Sequence, residues 1–140
     1  MDRGVCVITG GGRGIGAATA RRVAGAGWQV CLSWHADRAA AEALAQEVGG
    51  RAVRADVAVE PDVAALFAAA DEMGRLTATV ANAGIVAVRA RLDEMSADRM
   101  RRMLEVNVLG VLLTAREAVR RMSTRHGGSG GAIVNVSYYR

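Results

Sequence analysis

Thr9-Gly10-Gly11-Gly12-Arg13-Gly14-Ile15-Gly16 stands directly after the apolar run Val5 to Ile8 and directly before an alanine-rich segment of helical period. The order of strand, glycine turn and helix start decides the fold reading. A short continuous apolar run is the pattern of a strand buried on both faces of a parallel sheet. Glycine carries no Cβ, so the turn reaches positive φ and lets another group come close to the main chain. The helix that follows presents its unpaired N–H groups and the positive end of its dipole at the same point. A turn of this kind holds a phosphate or pyrophosphate.

Working outward, residues 15 to 26 read as a helix with Ile15, Ala18, Thr19, Val23 and Ala26 on one face, stopped by Gly27. Residues 28 to 34 form a second strand. Asp37 caps a helix whose inner face carries Ala40, Ala43, Leu44 and Val48, closed by Gly49 and Gly50. A third strand spans 52 to 57, and Pro61 suits the first turn of a helix bearing Val63, Leu66, Phe67, Ala70 and Met73, closed by Gly74. The fourth strand, 76 to 81, runs into Asn82-Ala83-Gly84. Beyond a loop, Leu104, Val108, Val111, Leu112, Ala115, Val119 and Met122 share one face of a long helix, with Arg116, Glu117, Arg120 and Arg121 opposite. A loop from Gly127 to Gly131 precedes a fifth buried strand, 132 to 136. Strands alternating with helices through short connections imply a parallel sheet, right-handed crossovers and helices on both faces.

The 140 residues amount to about one domain, and 51% hydrophobic with 23% charged residues is a globular balance. No apolar run approaches the ~18 residues that span a membrane. The first strand begins at Val5, which leaves no room for a secretory leader, so the expected location is the cytoplasm. Cys6 and Cys31 lie inside apolar runs, and neither they nor His35 and His126 have partners at metal-ligand spacing, so no metal is expected. All 18 basic residues are arginine. They are scattered over helices among Asp and Glu, and with 4% aromatics the net charge of +4 does not describe a nucleic-acid surface.

Two glycine spacings coexist in the turn: Gly12, Gly14 and Ala17, or Gly10, Gly14 and Gly16 preceded by Thr9. The second resembles the short-chain dehydrogenase/reductase family, and later stretches resemble it too. Asn82-Ala83-Gly84 is similar to the family's Asn-Ala-Gly motif, with Ala81 where a first Asn is commoner. Asn107, within Glu105-Val106-Asn107-Val108, resembles the structural and catalytic Asn of the family's long central helix. Ile133 to Ser137 resembles the fifth strand leading into its active site, and Asp56-Val57 the pair that contacts the adenine ring. The resemblance, to the classical type, covers the whole chain. It implies a Rossmann-type doubly wound parallel sheet of order 3-2-1-4-5, with a nicotinamide dinucleotide across the carboxyl ends of the strands. It also implies hydride transfer between nicotinamide and a small-molecule carbonyl or alcohol substrate. The cofactor-binding residues it implies are Thr9, Gly10, Gly12, Arg13, Gly14, Ile15, Gly16, Ser33, His35, Asp56, Val57, Asn82, Ala83 and Gly84.

Charge bears on which dinucleotide. NAD-preferring folds place an acid at the end of the second strand for the ribose hydroxyl, where it repels a 2′-phosphate. Here that stretch is Ser33-Trp34-His35, with no acid until Asp37, which is assigned to capping. Arg13 lies where it meets a 2′-phosphate, with His35 or Arg38 adding to it, so NADP is favoured over NAD. Plainer readings stand beside these: Arg13 as a solvated loop residue, Thr9 as a brace of the turn, Asn82 to Gly84 as an ordinary turn, and Asn107 satisfied by nearby backbone.

In the family a tyrosine hydroxyl transfers the proton, a lysine lowers its pKa and holds the ribose, and a serine positions the substrate oxygen. The asparagine supports a water-linked relay. Tyr and Lys form a Tyr-x-x-x-Lys pair on the helix after the fifth strand. This sequence has Tyr138 and Tyr139, then Arg140, and no lysine. Ser137 matches the first of two serines, and Tyr138 takes the place of the catalytic second, so Asn107 and, more weakly, Ser137 are the catalytic candidates. The expectation is one NAD(P)-binding domain over residues 1–140, truncated after the fifth strand, that holds the cofactor with little or no turnover. A catalytically silent dinucleotide-binding or oligomerisation module is the alternative. An open fifth-strand edge and an uncovered flank of the long helix favour a homo-oligomer.

Overall fold

The computed structural model describes residues 2–137. Strands β1 (Val5–Ile8), β2 (Gln29–Trp34), β3 (Arg51–Arg54), β4 (Leu76–Ala81) and β5 (Ala132–Asn135) form one parallel sheet. Its order is β3-β2-β1-β4-β5, as expected. From β1 the chain winds outward to β3 and then crosses back to β4. The direction of winding therefore reverses between β1 and β4, which opens a crevice beyond their carboxyl ends.

The central strand divides the core. Cys6 and Ile8 face α1 (Gly14–Gly25) and α2 (Arg38–Val48), where they meet Ala17, Ala20, Ala41 and Leu44. Val5 and Val7 face α3 (Glu60–Met73) and α5 (Gly110–Met122), where they meet Val63, Leu66, Phe67 and Leu113. Each large apolar side chain buried here contributes roughly 1.5–3 kcal/mol. Both thiols are enclosed, and burial pushes Cys6 up to about 12 and Cys31 up to about 11, as suits inert core residues. Pro61 occupies the first turn of α3, and Asp37 caps α2 by accepting the Ala40 N–H at 3.1 Å.

Arg121 ties α5 to α3. Its Nε donates to Asp71 at 2.8 Å, its Nη1 donates to Glu117 at 2.6 Å, and its guanidinium lies 5.3 Å from the centre of the Phe67 ring. Burial alone would raise the Glu117 carboxyl, but Arg121 and Arg120 outweigh it and hold it below the ordinary carboxylate range.

Several inner faces differ from the expected ones. In α1 the buried residues are Gly16, Ala17 and Ala20, while Ile15 is 61% exposed. The helix lies so close to the glycine turn that only small residues fit on its sheet side. In α2 the buried set is Ala41, Leu44 and Ala45, and Ala43 faces out. Strand β3 stops at Arg54 rather than running on to 57, because Asp56 turns the chain. Its N–H donates to Asp62 Oδ2 and its Oδ1 accepts the Ala58 N–H, both at 3.0 Å.

The long helix starts earlier than expected, at Ala97 in a stretch read as loop, and runs without a break to Met122. The first part, α4 (Ala97–Leu104), is capped by Ser96, and a π-turn over Glu105–Leu109 leads into α5. The expected face is largely the outer one: Leu104, Val108, Leu112 and Val119 are exposed, whereas Val106, Gly110, Leu113, Thr114, Glu117 and Ala118 point inward, Met122 with them. The expected buried β5 is likewise exposed at every residue, since among the described residues it pairs with β4 alone and little packs over it. Among the described residues no helix is long and apolar enough to cross a membrane.

Candidate functional site

The crevice at the carboxyl end of the sheet is lined by the glycine turn, the ends of β2, β3 and β4, and one face of the α4 to π-turn segment. The turn is shaped by glycine where nothing else fits. Gly14 sits at φ 57°, and a Cβ on Gly16 would stand 2.4 Å from the Gly10 carbonyl oxygen. With Gly10 also at φ 61°, the spacing of Gly10, Gly14 and Gly16 is the one the geometry uses. Gly10 and Gly12 line the crevice, while Gly14, Ile15 and Gly16 open α1 beside it.

Main-chain donors collect at this turn. Among the described residues, the N–H groups of Gly12, Arg13, Gly14, Ile15 and Gly16 have no protein acceptor, and the first bond of the helix is Ala17 N–H to the Arg13 carbonyl, 3.2 Å. No side chain caps α1, in contrast to Asp37 on α2 and Ser96 on α4. Unpaired N–H groups at the positive end of a helix dipole suit an anion, so the cradle fits a pyrophosphate.

Two hydroxyls brace the turn, and of their residues Ser33 also lines the crevice. Thr9 is buried, and its Oγ1 accepts the Asn82 and Ala83 N–H groups, both at 3.0 Å. Ser33 is buried as well, and its Oγ accepts the Gly10 N–H at 3.1 Å. Asn82 closes the set by donating from Nδ2 to the carbonyls of Thr9 at 3.1 Å and Gly10 at 2.9 Å. Asn82, Ala83 and Gly84 thus form a wall locked onto the turn, with Gly84 so close to Asn107 that a Cβ would stand 3.2 Å from its Oδ1.

The polar end of the crevice is basic. Arg13 lines it, exposed and unpaired among the described residues. Arg38 is instead drawn to Glu42 at 2.7 Å. His35 Nε2 stands 3.6 Å from Asp56 Oδ2, and Arg102 Nη2 donates to the same oxygen at 3.1 Å. Burial alone would raise the Asp56 carboxyl, but the Ala58 N–H, Arg102 and His35 hold it below the ordinary carboxylate range. Val57, buried, lines the crevice beside it.

Asn107 lies in the π-turn, a distortion that recurs at functional sites. Its Oδ1 accepts the Ile85 N–H and its Nδ2 donates to the Ile85 carbonyl, both at 2.8 Å, which fixes the loop after β4. Ser137 follows β5 and is exposed; it is not among the residues lining the crevice. Tyr138 and Tyr139 lie outside the described residues.

Arg102, Ile85 and Val106 line the crevice without having been singled out by sequence. The available signal was the helical spacing of Arg102 and Val106, which places both on one face just ahead of Asn107.

Comparison with known proteins agrees with this architecture. The family model described as short chain dehydrogenase matches residues 4–138, and the chain belongs to that family. It is 42% identical over 139 residues to the uncharacterized oxidoreductase YgfF of Escherichia coli (strain K12), covering 95% of this chain and 56% of that one. It is 46% identical over 138 residues to the cis-4-hydroxycyclohexanecarboxylate dehydrogenase of Sinomonas cyclohexanicum, covering 95% and 54%. Among solved structures, the 3-ketoacyl-(acyl-carrier-protein) reductase from Brucella melitensis, complexed with NADH, superposes with a TM-score of 0.89 at 34% identity, covering 97% of this chain and 57% of that one. The chain thus spans about half the length of the relatives it matches.

Proposed function

We propose that residues 1–140 form a cytoplasmic NADP(H)-binding domain. It serves an oxidoreductase that passes hydride between nicotinamide and the carbonyl or alcohol carbon of a small-molecule substrate. The observation that carries this reading is the run of unpaired N–H groups from Gly12 to Gly16 beside Arg13. The nearby carboxylates Asp37 and Asp56 are already engaged, by a helix N-terminus and by Arg102. The N–H groups would hold a pyrophosphate, and Arg13 with His35 would hold the ribose 2′-phosphate. Asp56 and Val57 meet the adenine, and Thr9, Ser33 and Asn82 to Gly84 hold the wall along which the cofactor lies. When bound, the dinucleotide supplies or accepts the hydride. Asn107 fixes the loop at the nicotinamide end, and Ser137 is a weaker candidate there.

With no lysine to lower a phenol's pKa, this chain's share of the reaction is to hold and orient the cofactor, with little or no turnover of its own. A second reading, a catalytically silent dinucleotide-binding module that self-associates, is favoured by the exposed stripe of Leu104, Val108, Leu112 and Val119. Such a stripe suits a homo-oligomer in either case.

Fluorescence titration with NADPH and NADH tests the assignment. Arg13→Glu should weaken NADPH much more than NADH, because it sets a carboxylate against the 2′-phosphate. Equal losses overturn the choice of NADP, and no binding of either cofactor at millimolar concentration overturns the dinucleotide reading itself. A panel of carbonyl substrates with NADPH tests both: turnover by this chain rejects the silent module and also the expectation of little or no turnover.

A further inference from the structure

Asp56 is held at its main chain and at both carboxylate oxygens, with His35 Nε2 also 3.6 Å from Oδ2. Its main-chain N–H donates to Asp62 Oδ2 and its Oδ1 accepts the Ala58 N–H, each at 3.0 Å, while its Oδ2 receives Arg102 Nη2 at 3.1 Å. The side chain keeps 16% exposure, and both it and Arg102 line the crevice. Arg102 comes from α4, 46 residues further along the chain, and this is its one hydrogen bond among the described residues. The choice of partner is specific, because Asp98 on the same helix pairs with Arg101 instead, at 3.1 Å.

A bare carboxylate at that place would have two drawbacks for a dinucleotide. It would repel the phosphates, and with only Oδ1 held by the Ala58 N–H its second oxygen would be unanchored. An arginine bonded to one of its oxygens removes both drawbacks and leaves a lone pair of that oxygen open.

We propose that Arg102 is a positioning residue for the adenine end of the cofactor: it neutralises Asp56 and fixes its carboxylate as an acceptor for the purine 6-amino group. This rests on the dinucleotide reading given above.

The test titrates the whole chain with NADPH and with its hypoxanthine analogue, in which a carbonyl replaces the 6-amino group. Four proteins are compared: the unaltered chain, Arg102→Gln, Asp56→Asn and the double variant. Arg102→Lys serves as the conservative control, and thermal melts establish that each is folded. The unaltered chain should prefer NADPH over the analogue. A charge-assisted hydrogen bond from the 6-amino group to an aligned Asp56 is worth about 1.5–3 kcal/mol, and if Arg102→Gln loses that alignment NADPH should weaken by about tenfold or more. The analogue meets the same unneutralised carboxylate but lacks the 6-amino contact, so it should weaken less than NADPH and the preference should fall. The double variant should be no worse than Asp56→Asn alone, and Arg102→Lys should restore most of the affinity.

A merely structural tie between α4 and the turn after β3 predicts something else: equal losses for both cofactors, or losses that add in the double variant. Either result overturns the proposal. Failure of the unaltered chain to bind NADPH or its analogue overturns the dinucleotide reading instead.

Discussion

Gly16→Ala and Gly25→Ala place one methyl group at two points of the same helix, and the structure assigns them opposite signs. At Gly16 the new carbon would stand 2.4 Å from the Gly10 carbonyl oxygen, 2.6 Å from Asn82 Nδ2 and 2.9 Å from Gly11 Cα. Two of the three neighbours are backbone, so α1 must move off the turn. Overpacking of this kind costs about 1–3 kcal/mol. Displacing Asn82 puts its two bonds to the turn at risk, at about 1 kcal/mol each. A loss of roughly 2–4 kcal/mol follows, equivalent to a fall in Tm of about 8–16 °C for a chain of this size. At Gly25, by contrast, a Cβ meets nothing within 4 Å. There the better helix propensity of alanine should add about 0.5 kcal/mol and raise Tm by about 2 °C. Urea and thermal unfolding followed by circular dichroism read both values. A Gly16→Ala variant as stable as the parent would refute the close packing of helix on turn, and with it the account of why α1 buries its small residues and exposes Ile15.

Two further outcomes follow from buried polar groups. Thr79 is fully buried and its hydroxyl has no partner among the described residues, so the near-isosteric Thr79→Val should raise stability by about 1 kcal/mol in urea unfolding; destabilisation would show that the hydroxyl is satisfied. Glu117 titrates below its ordinary value of 4.5 in the folded chain, so the stability it contributes is present above that pH and lost as pH falls through the folded value. Glu117→Gln should therefore be less stable than the parent at neutral pH and lose less on acidification below about 4.5. Parallel pH–stability curves would contradict the role given to Arg120 and Arg121.

Local chemistry made much of this molecule legible. Positive φ at Gly10 and Gly14, the Asp37 cap and the Pro61 helix start each depend on a few neighbouring residues, and each lies where those residues placed it. The strand order came with the family resemblance, because pairing is not a local property. The roles of Thr9 and Ser33 were harder to read: a hydroxyl at a strand end serves a ligand or the neighbouring loop according to how the next strand is registered. Thr9 finds the β4 end, Ser33 finds Gly10, and both become braces. Arg102 was invisible for the same reason, its partner being 46 residues away and joined only when α4 crosses the end of β3.

The inverted helix face has a different cause. Helical periodicity identifies an apolar stripe but not which stripe faces the core, and the segment from Leu104 to Met122 has two candidates. The outer stripe carries larger residues and reads as the stronger. The inner one contains Gly110, Thr114 and Glu117, which weaken its apolar signal, yet each suits burial here. A Cβ on Gly110 would stand 2.6 Å from Val57, so the helix can approach only with glycine at that point. Thr114 donates its hydroxyl to the Gly110 carbonyl at 2.7 Å, and Glu117 is neutralised by two arginines. The π-turn adds to the ambiguity by shifting the phase between Leu104 and Gly110. Close approach selects small and internally satisfied residues for the inner face, and the bulky apolar residues are left outside. The same rule acts on α1, where Ile15 faces out and Gly16 faces in. In this chain the helix faces that pack most tightly on the sheet are therefore those that a hydrophobicity count ranks second.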